Sequence, residues 1–177
     1  MSIPGFPRLA ASLLLIAVSS VVLSAGQAPD ARQLARLRRL FPTATAFSPK
    51  GGEPPHYKVY SGQGTDQRII GYAFWTTEVV PLERGYGGPI AILVGLQSNG
   101  TLSGVIVGDH REPYGDFSIE SPQFAAGFAG KDIRDPFKLG GDVDAVSRAT
   151  ITMSAAVRAI RTSVRRMARE YLAPPTK

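Results

Sequence analysis

Ser98-Asn99-Gly100 lies between two apolar runs, Ile90 to Gln97 and Thr101 to Val107. Asn-Gly between such runs selects a tight hairpin, because both residues tolerate positive φ at little steric cost. Two antiparallel strands are thereby expected in the middle of the chain, which an all-helical fold could not hold. Upstream, Arg68 to Val80 is rich in Ile, Tyr, Phe, Trp, Thr and Val, which suit a pleated surface, and His56 to Ser61 alternates weakly. Pro81 to Pro89, with Gly85, Gly87 and Gly88, reads as a loop between strands.

Helices flank this block. Asp30 can cap a short helix to Phe41, with Leu34, Leu37, Leu40 and Phe41 on one face and Pro42 as its stop. Thr43 to Pro55 is a polar, Gly/Pro-rich connection. Ser121 starts a second helix reaching about Phe128, with Phe124 and Phe128 one turn apart. The last helix runs from about Thr152 to Tyr171, where Val157, Ile160, Val164, Met167 and Tyr171 form an apolar stripe. Arg158, Arg161, Arg165, Arg166 and Arg169 fall largely off that stripe. They read as a solvated face, with a membrane-surface or partner contact as the lesser alternative. Strands first, helices around them: the expected class is α+β, with a mainly antiparallel sheet and a long amphipathic C-terminal helix.

Composition matters at three points. Hydrophobic residues are 44% and charged residues 19% of 177, which excludes disorder and allows a real core. There is no cysteine, which excludes disulfides, iron–sulfur clusters and thiolate metal sites, and two histidines are too few for a His-rich one. Redox chemistry would therefore need an organic cofactor. Residues 1–26 join a single positive charge, Arg8, to an uncharged stretch from Leu9 to Ala25 and a small-residue site at Ser24-Ala25-Gly26. This pattern predicts a signal peptide, or an N-terminal anchor, followed by one domain over residues 27–177 in an extracytoplasmic or periplasmic space. The formal charge of +6 suits an anionic lipid or acidic partner as well as ordinary solubility, and no nucleic-acid motif is present.

The stretch that carries chemistry is Asp144-Ala145-Val146-Ser147-Arg148-Ala149-Thr150. It resembles the flavinylation motif of the FMN-binding domain family: Asp, two variable residues, Ser or Thr, Gly, Ala, then Ser or Thr. The family includes the G subunit of the Rnf electron-transport complex and the C subunit of sodium-translocating NADH:quinone reductase. It also includes the periplasmic flavin domain of the nitrous-oxide reductase regulator, to which Ser-Arg-Ala-Thr is most similar. The resemblance implies FMN joined through its phosphate to Thr150 by a dedicated flavin transferase with FAD as donor. Asp144 and Ser147 match the recognition positions, and Ala149 the small one. Arg148 departs from the family's Gly, a residue suited to positive φ or close approach, and is itself a candidate phosphate partner.

The resemblance continues outside the motif. Gly85-Tyr86-Gly87-Gly88-Pro89 is similar to the family's Gly-Tyr loop, and His110-Arg111-Glu112-Pro113 to its His-x-Glu-Thr-Pro segment without the Thr. It implies that Glu112 contacts the flavin or its phosphate loop and that Tyr86 stacks near the ring; a turn carboxylate and a sheet-packing aromatic are the plain alternatives. His110 reads as a hydrogen-bonded strand-end residue before a proton donor. A phosphate on Thr150 would also meet the unpaired N–H groups of a helix start, whereas Ser147, Thr150 and Thr152 could equally be capping residues.

The expected function is thus an exported electron carrier without its own substrate, its partners a redox protein or membrane electron-transfer complex. A non-flavinylated adaptor that keeps the fold is the alternative.

Overall fold

The computed structural model describes residues 27–172; the expected signal or anchor lies outside them. The chain builds a five-stranded antiparallel meander in the order β1-β2-β3-β4-β5: Ala46–Phe47, Tyr57–Ser61, Arg68–Trp75, Ile92–Gln97 and Leu102–Val107. Among the described residues four α-helices accompany it, α1 (Ala31–Leu40), α2 (Thr76–Val79), α3 (Pro122–Ala126) and α4 (Thr150–Tyr171), besides a 3-10 turn at Gly64–Asp66. The class is α+β, as the segment pattern indicates.

The hairpin forms as expected, by a slightly different device. Gly100 has φ 89°, but Asn99 stays at negative φ and uses its Oδ1 to accept from Thr101 N–H at 3.0 Å. One residue in the turn is left-handed rather than two.

Strand alternation sends side chains to two cores. Tyr72, Phe74, Ile92, Val94 and Leu96 face α4, whose Met153, Val157, Ile160, Val164 and Met167 are buried against them. Val59, Ala73 and Leu93 face the other way and are covered by Leu37, Leu40 and Phe41 of α1 and the residue after it. The sheet is therefore the middle layer of three.

Two assignments change. Arg68 to Val80 is not one extended segment: β3 ends at Trp75 and Thr76–Val79 is helical. The Thr76 hydroxyl donates to Ile90 C=O and accepts from Ile92 N–H, both at 3.1 Å, so a contact to β4 overrides a β-branched composition. Within Thr43 to Pro55, Ala46 and Phe47 pair with Tyr60 and Val59.

Three of the five α4 arginines are also not simply solvated. Arg158 binds Glu83 at 2.7 Å, Arg165 donates to Ile133 and Asp135 carbonyls, and Arg166 donates to Val79 C=O at 2.8 Å. They clamp α2 and two connecting segments onto α4.

Candidate functional site

The site forms where α4 begins. The helix starts at Thr150, two residues earlier than the periodicity indicates, with Ala149 at the N-cap. No side chain caps it. Among the described residues, no acceptor meets the N–H groups of Thr150, Ile151 or Thr152. A helix start in this condition presents bare donors and the positive end of the helix dipole. The capping reading of Ser147, Thr150 and Thr152 therefore fails.

Arg148 stands immediately before, at φ 69°. The left-handed conformation expected for a glycine is present, and an arginine adopts it. That turn leaves Arg148 and Thr150 exposed and buries Ala149 between them.

A cleft of about 550 Å³ opens over this turn, lined by Tyr86, Pro113, Tyr114 and residues 148–152. Its size lies within the roughly 300–1,000 Å³ of small-molecule sites. Tyr86 is 73% and Tyr114 46% exposed, so both present ring surface to solvent at the rim. Phe117 stands 5.5 Å from Tyr114, ring centre to ring centre.

Glu112 holds the cleft walls together from below. It is buried, at 6% exposure. One oxygen accepts from Gly87 N–H at 2.8 Å, and the other from Tyr86 N–H at 3.0 Å. Thr152 donates its hydroxyl to the second oxygen. One carboxylate thus ties the glycine loop to the first turn of α4. The fit demands glycine: a Cβ on Gly85 would stand 2.5 Å from Glu112 Oε1, and one on Gly87 2.0 Å from Arg111 C=O.

His110 fixes Glu112 in turn. Its Nδ1 accepts from Glu112 N–H at 3.2 Å, and its Nε2 meets Glu120 at 2.6 Å. This matches the hydrogen-bonded reading of that histidine.

Of the residues singled out by sequence, Thr150, Arg148, Ala149 and Tyr86 line the cleft and Glu112 lies directly beneath. Asp144 and Ser147 do not line it; both are exposed. Tyr114 and Ile151 also line it, without a sequence signal of their own. Thr152 reads only as a cap in the sequence; its pairing with Glu112 spans 40 positions and leaves no local signal.

These features fit a flavin mononucleotide: bare amides and a guanidinium for a phosphate, aromatic rims for a ring, and a hydroxyl open to substitution.

Comparison with known proteins points the same way. Residues 85–165 match the FMN-binding domain family. The G subunit of the ion-translocating oxidoreductase complex of Methanosarcina acetivorans is 29% identical over 171 residues, covering 86% of this chain and 88% of that protein. Its counterpart from Pseudomonas aeruginosa is 36% identical over 91 residues, 46% of this chain and 42% of that protein. The counterpart from Vibrio cholerae is 34% identical over 90 residues, 45% of this chain and 43% of that protein. Against these two bacterial proteins the chain aligns over less than half of their length.

Proposed function

We propose that this chain, whose residues 85–165 belong to the FMN-binding domain family, is an exported electron-transfer flavoprotein with FMN bonded to Thr150. In the attachment, Thr150 Oγ1 loses its proton and bonds to the FMN-side phosphorus of FAD. The phosphoanhydride bond breaks and AMP leaves, with a flavin transferase as catalyst. When bound, the flavin supplies electron transfer. The protein's part is to hold and orient it. Arg148 and the amides of residues 150–152 would hold the phosphate and Tyr86 and Tyr114 would border the ring, while Glu112 keeps both walls in register.

One observation carries this reading: an exposed Thr150 at an uncapped helix start, opening on a cleft of suitable size. A covalent bond keeps a cofactor from being lost outside the cytoplasm, in keeping with the leader-like residues 1–26. The relatives named as subunits of an ion-translocating oxidoreductase complex favour a membrane-bound redox partner over a small-molecule substrate. Arg148 favours a second reading. A residue strained where glycine would be relaxed also suits a domain that has lost its flavin and acts as an adaptor.

Intact mass and in-gel flavin fluorescence, after export together with a flavin transferase, separate the two. An FMN-sized adduct that disappears in Thr150→Ala is expected. An unmodified wild-type chain, beside a control domain that does load, would sink the covalent assignment and leave the adaptor.

A further inference from the structure

The strongest charged feature outside the cleft is on α1. Its ten residues include Arg32, Arg36, Arg38 and Arg39 and no acid. Arg32, Arg36 and Arg39 recur at intervals of four and three, so they share one stripe. It lies roughly a quarter turn from the buried Gln33, Leu37 and Leu40. The three arginines form one wall of a groove of about 360 Å³ against β5 and the start of α3. Two acids in the groove, Asp109 and Glu120, come from the other wall, and Glu120 is engaged by His110. Among the described residues, none of the α1 arginines is within ion-pair distance of a carboxylate. Arg36 instead lies 5.3 Å above the Trp75 ring.

The anchor reading of residues 1–26 says what covers the stripe. Leu9 to Ala25 carries no charge, and only Gly26 to Asp30 separate it from α1. Five extended residues span at most ~18 Å. A bilayer that receives the uncharged run therefore has the start of α1 no more than ~18 Å from its headgroups, under two of the roughly 10 Å lengths over which surface potentials decay at 0.1 M salt. No helix of the described residues is long and apolar enough to cross a membrane, so contact by this part of the chain is peripheral.

We propose that the Arg32/Arg36/Arg39 stripe seats this protein on an anionic lipid surface, its guanidinium groups donating to headgroup phosphates. Each such arginine strengthens association about fivefold. The stripe belongs to the α1 layer, whereas the cleft opens at the start of α4 on the opposite layer. The proposal does not depend on flavin attachment.

Trp75 is the only tryptophan and lies beside the stripe, so it reports directly. The full chain is placed in vesicles carrying a headgroup nitroxide quencher, made of phosphatidylcholine alone or with phosphatidylglycerol. Stronger quenching with phosphatidylglycerol is expected. It should reverse near 1 M salt, where screening shortens to ~3 Å, and be lost in Arg32→Gln/Arg39→Gln with an unchanged unfolding midpoint. Equal quenching in the two lipids overturns the proposal and reassigns the stripe to an acidic protein surface. An undiminished increment in the variant overturns it as well.

Discussion

Two helices of this molecule begin in opposite ways. At α1, the Asp30 side chain accepts from Gln33 N–H at 2.7 Å, as polar residues before helices usually do. At α4, more than twice as long, the first turn has no side-chain cap although Ser147, Thr150 and Thr152 surround it. Thr152 gives its hydroxyl to Glu112, while Ser147 and Thr150 remain exposed. A cap is worth about 1 kcal/mol, so leaving it out forgoes stability. α4 can forgo it because eleven of its residues are buried on the sheet and supply the binding that α1 must gain partly from its cap. The open start is then free to take an anion.

That contrast can be broken most forcefully at Glu112. Glu112→Ala removes the shared acceptor of two backbone donors and a buried hydroxyl, and about 3 kcal/mol of stability should be lost in denaturant unfolding. A loss under about 1 kcal/mol would mean that the two walls stand without it. Asp30→Ala comes next. It should cost about 1 kcal/mol by the same measurement, the ordinary value of an N-cap.

Arg148→Gly should move the other way. Relief of the left-handed turn, less the added freedom of the unfolded chain, is expected to raise stability by roughly 0.5–1 kcal/mol. The same change removes a cation from the cleft. Thr150→Ala should alter the unflavinylated protein by less than about 0.5 kcal/mol, since its exposed hydroxyl makes no bond among the described residues. A cost near that of Asp30→Ala would show that α4 is capped after all.

The smallest effect lies at the far end of α4, where His56 packs between Tyr72 and Tyr171 and its Nδ1 meets Pro54 C=O at 2.9 Å. Burial lowers its pKa, against the smaller opposing effect of the Pro54 hydrogen bond. The folded state therefore binds this proton less readily than the unfolded chain. The resulting stability is full above the ordinary histidine range and declines as pH falls through it toward the lowered value. Melting temperatures at about pH 7.5 and about pH 5.5, either side of that range, should show the decline in the wild type and a weaker one in His56→Gln.

Legibility in the sequence followed the range of the contacts. The Asn99-Gly100 hairpin, the Asp30 and Ser121 caps and the stripe of α4 are local, and all appear in the structure. β1 was not legible, since two residues carry no period of their own and depend on Val59 and Tyr60. Thr76–Val79 misled because its composition suits a strand while a hydroxyl bridge to residues 90 and 92 decides otherwise. The site divides likewise. Arg148, Ala149 and Thr150 lie within one short motif. The Glu112–Thr152 pair and the Tyr114 wall exist only once separate segments meet.

The glycine loop sits on Glu112 and Arg111 without slack, and this sets how the segment can vary. Gly85 and Gly87 each face an atom that a single added carbon would strike, while Tyr86 between them points into solvent. Three consecutive codons therefore carry unequal freedom. Replacement at the middle one alters the rim of the cleft and spares the scaffold; replacement at either neighbour breaks the scaffold first. A library randomised over these positions would retain almost every residue at 86 and almost none at 85 or 87. The cleft's aromatic rim at Tyr86 is thus the part most open to retuning by drift or selection.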